Sequence, residues 1–174
     1  MCAHYETVHQ PERMRQAFGL EPAAGALRRD IWPGYLSTFI VAGPDGLQAR
    51  LGCFGLIPHW AKDAKIARQT YNARSETVAD KPSFRDAWRA AQHCIVPMES
   101  FFEPDWRSGR AVPTRITQAH GRALGAAGLW SRWQDTQGQV LYSFTLLTIN
   151  ADAHPFMRQF HKPDDEKRMI VVLP

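Results

Sequence analysis

Cys2 stands directly behind the initiator methionine in a chain of 174 residues. Removing Met1, which cells commonly do before a small residue, would leave an α-amine and a thiol on one residue. The amine has an ordinary pKa of about 7.7–8.0 and the thiol one of about 8.5, so both are partly reactive near neutral pH. Such a pair condenses with an aldehyde to an imine, and the sulfur can then close a five-membered thiazolidine. By position alone a bland terminal cysteine with Met1 retained is the commoner reading, because reactivity needs a supporting environment.

Three further features could supply that environment. Asn72-Ala73-Arg74, followed by Ser75-Glu76-Thr77, places a neutral donor and acceptor beside a planar cation suited to phosphate. A loop that caps a following helix is an equal alternative. Glu103 lies in Phe101-Phe102-Glu103-Pro104, close to Trp106. An acid among aromatic residues is desolvated, which raises its pKa into the range a proton-transfer group needs. The competing reading is a surface Glu on an amphipathic strand. His161, one of seven histidines, could give or take a proton near neutral pH. It could equally be a solvent-facing residue of the polar run that follows it. Cys53 and Cys94 sit in apolar stretches and read as core. A metal site on Cys2, His4 and His9 matches no standard spacing. No phosphate-binding glycine loop or nucleophile-elbow serine is present. The expectation is no metal and no cofactor.

The elements that must hold these residues are mostly strands. Helices are expected over residues 10–18 and 83–92, the second with Phe84, Trp88 and Ala91 as an apolar stripe. Residues 28–34 read as a turn region and 59–74 as an irregular loop. Strands are expected at 36–41 and 48–56 around a turn at 43–46, then at 94–97, 101–103, 114–117, 123–133, 140–149 and 169–173. Many short strands with few helices imply an α+β fold, a mainly antiparallel sandwich or barrel-like sheet.

The bulk numbers narrow the class. Hydrophobic content of 44% and charged content of 22% suit a soluble globular domain. No apolar run is long enough to span a bilayer, and the N-terminus lacks the apolar core of a signal peptide. A cytoplasmic protein without a membrane partner is expected. Three widely spaced cysteines argue against a disulfide framework. Lys and Arg exceed Asp and Glu by 21 to 17, which permits a polyanionic partner without demanding one.

The order of these pieces is similar to that of a known family. Met1-Cys2, residues 54–60 from Phe54 to Trp60, residues 72–77 from Asn72 to Thr77, Cys94 to Pro97 leading into Phe101-Phe102-Glu103, Ala127 to Trp130, residues 148–151, and His161 with Arg168-Met169 occur in sequence. The chain resembles the SRAP family, the SOS response-associated peptidases that include abasic-site-crosslinking proteins. The resemblance covers nearly the whole chain. It implies one SRAP-like domain over 1–174, and a stop at Pro174 inside an expected strand is compatible with truncation at the C-terminus.

The resemblance also implies a chemistry. Family members bind single-stranded DNA and react with the ring-opened aldehyde of an abasic site, giving a thiazolidine crosslink through the N-terminal cysteine. Carried over, Cys2 supplies amine and thiol, and Asn72 positions the Cys2 terminus and the sugar. Glu103 handles the protons of the amine and imine. His161 assists opening of the deoxyribose ring and reversal. Arg74 would hold a phosphate and Trp60 would line the DNA groove, with Pro33, His4 and Arg168 completing the DNA-facing set. The implied partner is single-stranded DNA containing abasic sites, met by a monomer in a bacterial-type cytoplasm, at the nucleoid when bound to DNA. An older family reading, a thiol autopeptidase that removes its own N-terminal residues, uses the same Cys2. A non-catalytic binder of modified or single-stranded DNA is a third possibility.

The chain departs from the pattern at several points. Ala3-His4 replaces the usual Gly-Arg, so a phosphate-contacting Arg becomes a His. The turn reads Asp30-Ile31-Trp32-Pro33. Phe54 replaces a tryptophan, and residues 162–167 are inserted before Arg168-Met169, which Ile170 follows where a Pro is usual.

Overall fold

The computed structural model describes residues 2–174; Met1, and with it the question of its removal, lies outside the described residues. The elements run β1 (Tyr5–Thr7), α1 (Pro11–Phe18), β2 (Asp30–Ile31), β3 (Leu36–Gly43), β4 (Gly46–Phe54), β5 (Asn72–Arg74), α2 (Arg85–Arg89), β6 (His93–Asp105), β7 (Val112–Ile116), β8 (Leu124–Gln134), β9 (Val140–Asn150) and β10 (Arg168–Ile170). The expected α+β class with a mainly antiparallel, barrel-like sheet is what these strands build.

Strand pairing closes on itself. β3 pairs β4 and β6, β4 pairs β9, β9 pairs β8, and β8 returns to β6. This five-strand ring has no open edge of its own. All its pairings are antiparallel except β4 with β9. The remaining strands attach to the ring: β1 and β7 to β6, β2 to β1, and β5 and β10 to β9. Inside, Phe39, Phe54 and Phe144 are fully buried, with Phe144 5.4 Å from Phe39 and 5.6 Å from Phe54 between ring centroids. Tyr5 meets Phe54 edge-on at 5.3 Å. This packing ties β1, and so the N-terminus, to the barrel wall.

Chain reversals obey local chemistry. Pro44-Asp45 links β3 to β4, and Gly46 at φ +119° absorbs the mismatch between a proline turn and strand twist. Gly55 ends β4 at φ +116°, where an added Cβ would lie 1.9 Å from the Ala67 carbonyl oxygen. Only glycine fits there.

Two expectations about elements are corrected. The second helix is confined to Arg85–Arg89, because Ala91 adopts φ +51° and turns the chain into β6. Its buried face is Phe84 with Ala87, packed on Leu129, while Trp88 is exposed and Ala91 stands outside the helix. The stretch 59–74 is not wholly irregular. It holds a 3-10 turn at Ala64–Arg68 and ends in β5, which pairs in parallel with β9. No helix among the described residues is long and apolar enough to cross a membrane.

Candidate active site

Cys2 is fully buried within the main core cluster, with its Sγ 3.5 Å from the His4 carbonyl oxygen. Antiparallel pairing carries it there. Tyr5 opposes Phe101, and the Phe102 amide donates to the His4 carbonyl at 3.0 Å, so the segment before Tyr5 runs beside Glu103. Burial, reinforced by the nearby Glu103 charge, raises the thiol pKa well above the ordinary value. The sulfur is therefore a protonated thiol at neutral pH.

Asn72 opens β5. Its Nδ2 donates to the Cys2 carbonyl oxygen at 2.8 Å, joining the N-terminal segment to a strand 70 residues later. Its Oδ1 is buried and has no hydrogen-bond partner among the described residues, so it remains able to accept from a ligand.

Glu103 and His161 form the second half of the cluster. Glu103, on β6, is 1% exposed, and burial pushes its carboxyl up to about 7. His161 Nε2 lies 3.4 Å from Glu103 Oε2 and 2.8 Å from the Arg168 carbonyl oxygen. A carbonyl can only accept, so the tautomer is assigned with the proton on Nε2, leaving Nδ1 as the acceptor. Burial lowers the imidazole pKa, which keeps the ring neutral at neutral pH. His161 adopts φ +67°, and its amide donates to the Pro104 carbonyl at 2.8 Å. That bond ties the His161 backbone to β6, one residue beyond Glu103. A left-handed non-glycine residue in a buried cluster marks backbone held by its surroundings.

The residues expected to face DNA divide into two sets. Arg74 is exposed, with Nη1 2.7 Å from Glu166 Oε2; a surface pair of this kind is weak enough to exchange for phosphate. Trp60 is 47% exposed, its Nε1 3.4 Å from the Pro82 carbonyl oxygen. Pro33 occupies the corner of an exposed turn before β3.

Arg168 differs from the expectation. It is 3% exposed, with Glu76 gripping it at 2.9 and 3.0 Å, Glu166 at 2.9 Å and the Thr148 carbonyl oxygen at 2.8 Å. Its guanidinium braces the 76 and 166 segments against β9, and in return it holds the Glu76 carboxyl down to about 2. His4 is also engaged. Its ring is sandwiched between Trp32 and Phe102, and Nε2 is 2.7 Å from Asp30 Oδ1. Trp32 was legible only as part of a turn, although an aromatic residue directly before Pro-Gly is a signal for a fixed, presented ring. Cys53 and Cys94 are buried in the core. Among the described residues no cluster of His, Cys, Asp and Glu is arranged to hold a metal ion.

The cluster thus combines a buried cysteine thiol, an amide on its carbonyl, an acid titrating near neutrality and a neutral imidazole. The SOS response associated peptidase (SRAP) family model matches residues 1–174. The chain belongs to the SRAP family. Among curated SRAP relatives, the abasic site processing protein YoaM of Bacillus subtilis is 39% identical over 134 residues, covering 74% of this chain and 55% of that protein. The abasic site processing protein HMCES of Gallus gallus is 28% identical over 120 residues, covering 56% of this chain and 36% of that protein. The chain therefore spans about half the length, or less, of the curated relatives it matches. A crystal structure of a Bordetella bronchiseptica protein superposes with TM-score 0.91 at 45% identity, over 99% of this chain and 84% of that one. A Bacteroides thetaiotaomicron protein shares the fold at TM-score 0.78 and 21% identity, over 99% and 77%.

Proposed function

We propose that this SRAP chain processes abasic sites in single-stranded DNA by forming a thiazolidine through Cys2 once Met1 has been removed. The observation that carries the reading is the convergence of Cys2, Asn72, Glu103 and His161 in one buried cluster. The names of YoaM and HMCES, abasic site processing proteins, support the substrate class.

The order of steps follows from the protonation states. The abasic deoxyribose is mostly a closed hemiacetal, and His161 is the group that can move the proton of its C1′ hydroxyl to the ring oxygen as the ring opens. The Cys2 amine then adds to the aldehyde carbon. Glu103, titrating at about 7, takes a proton from the nitrogen and returns one to the departing hydroxyl, so that water leaves and an imine remains. The thiol is held protonated by burial, so it follows the amine. Sulfur adds to the imine carbon while its proton passes, by way of Glu103, to the nitrogen. One water is lost overall and no oxidant is needed. Asn72 fixes the Cys2 carbonyl, and its Oδ1 can accept from a sugar hydroxyl, which holds amine and aldehyde in reacting geometry. Running the steps backward releases the DNA.

Arg74 and Trp60 supply backbone charge and an aromatic face that need not read sequence. An abasic nucleotide costs little to draw into the cluster, because no base must be unpaired.

The test is a denaturing gel of the protein with single-stranded DNA carrying one abasic site. A slow-migrating covalent band is expected, lost in Cys2→Ala and lost when borohydride has reduced the aldehyde beforehand. A wild-type chain of confirmed Met1-free mass that gives no band overturns the reading. Cys2-dependent loss of residues beyond Met1, seen by intact mass, would favour the autopeptidase instead.

A further inference from the structure

A stack of three rings stands beside the cluster, and the steps above do not use it. The His4 imidazole lies 4.2 Å from the Trp32 ring at an interplanar angle of 10°, and 4.1 Å from the Phe102 ring at 7°. Asp30 accepts from His4 Nε2 at 2.7 Å, which fixes the rotation of the middle ring. The outermost ring, Trp32, remains 45% exposed.

The backbone holds that indole in place. The Tyr35 amide donates to the Trp32 carbonyl at 2.9 Å across Pro33-Gly34, with Gly34 at φ +92°. This is a type II turn with its preferred residues at both inner positions. The pairing of Tyr5 with Ile31, continued by one residue, sets His4 opposite Trp32. His4 is two residues from Cys2, a step of about 6.6 Å along an extended chain. Two cations accompany the turn. Arg28 lies over the Tyr35 ring at 4.6 Å, and Arg29 pairs with Glu6 at 2.9 Å.

A parallel stack that ends in an exposed, immobilised indole next to a reactive terminus has the form of a platform for one more flat ring. The cost of ordering the side chain is met before any ligand arrives. We infer that Trp32, backed by His4 and Phe102, stacks on the nucleobase adjacent to the abasic nucleotide, so that the neighbour of the lesion sets the lesion over Cys2. The inference rests on the function proposed above. Any base offers a face to stack on, so the contact is tolerant of sequence.

The experiment uses the full chain and two oligonucleotides, one with a single abasic site between thymines and one with the two flanking thymidines replaced by tetrahydrofuran spacers, which carry neither a base nor an aldehyde. At sub-saturating protein, wild type should crosslink the first about ten-fold faster than the second, the magnitude of one stacked base. Trp32→Ala should fall to the slower rate on the first and stay unchanged on the second, while Trp32→Phe keeps most of the advantage. Equal rates for Trp32→Ala and wild type on the first oligonucleotide overturn the inference and leave the crosslinking chemistry standing. So does an equal loss on both, which would mean a damaged site rather than a lost stack. If wild type crosslinks neither, the proposed function falls. Fluorescence anisotropy with labelled, unmodified oligothymidine then decides the platform: about ten-fold weaker binding by Trp32→Ala supports it, and unchanged affinity overturns it.

Discussion

Replacing Glu103 with glutamine should make the protein more stable and less active at once. Burial moves the Glu103 carboxyl from its usual 4.5 to about 7. Between those values the folded chain keeps a proton that the unfolded chain has released, so stability falls as pH rises through the window. The full difference corresponds to about 3 kcal/mol, present as a penalty above the folded value and absent below the unfolded one. The amide side chain would keep the shape without the charge. Urea unfolding should therefore give nearly equal stability for wild type and Glu103→Gln at pH 4. At pH 8 the variant should be more stable by about 3 kcal/mol, or roughly 6–12 °C in midpoint for a chain of this size. Crosslinking to an abasic oligonucleotide at pH 7 should fall about 100-fold or more, the range for loss of a positioned acid–base group. A stability difference that is the same at pH 4 and pH 8 would refute the placement of Glu103 as a desolvated acid. An unaltered rate–pH profile would remove it from the chemistry.

Other perturbations read other parts of the site. Asn72→Ala removes the bond to the Cys2 carbonyl; it should cost about 1 kcal/mol in stability and at least ten-fold in crosslinking rate, measured on Met1-free protein of confirmed mass. Gly55→Ala forces a Cβ onto the Ala67 carbonyl at φ +116° and should destabilise by about 3 kcal/mol or more; a melting point within a degree of wild type would contradict the geometry. Arg168→Ala breaks a buried, doubly bound cation and should cost about 2–4 kcal/mol. Because Arg168 holds Glu76 at about 2, that pairing stabilises above the ordinary carboxylate pKa and is lost as pH falls towards 2. The variant should accordingly lose less stability than wild type on acidification below pH 4.5.

Where the chain's own periodicity made the structure, the sequence could be read. The long strands β8 and β9 and the β3–β4 hairpin alternate apolar residues between turn signals, so their existence and rough bounds were legible. The elements that build the site were not. β5 is three residues, Asn72–Arg74, whose only strand partner among the described residues is β9, some 70 residues later; nothing local distinguishes it from loop. β1 carries a buried Glu6, held by Ser100 at 2.7 Å and by Arg115, and a charged residue inside a short strand hides its burial. β6 reads as two strands because Pro97 interrupts it, yet Pro97 still accepts from Thr7 through its carbonyl at 3.3 Å. For the site, residue identities came from motif order, and Cys2, Asn72, Glu103 and His161 do lie together. Exposure did not come with them. Arg168 looks like any surface cation until Glu76 folds onto it, and the ring stack on His4 depends on a strand pairing between residues 26 apart.

The complete burial of Cys2 has a consequence in time rather than in geometry. On the function proposed above, a ring formed on that residue would sit among core side chains that limit the approach of water, the reactant needed to undo it. Its lifetime would then follow how often the N-terminal strand lifts from β6, a local opening event whose frequency reflects a handful of hydrogen bonds. The duration of the covalent state would be written into the barrel's breathing, and substitutions that loosen β1 would shorten it without touching a reacting atom.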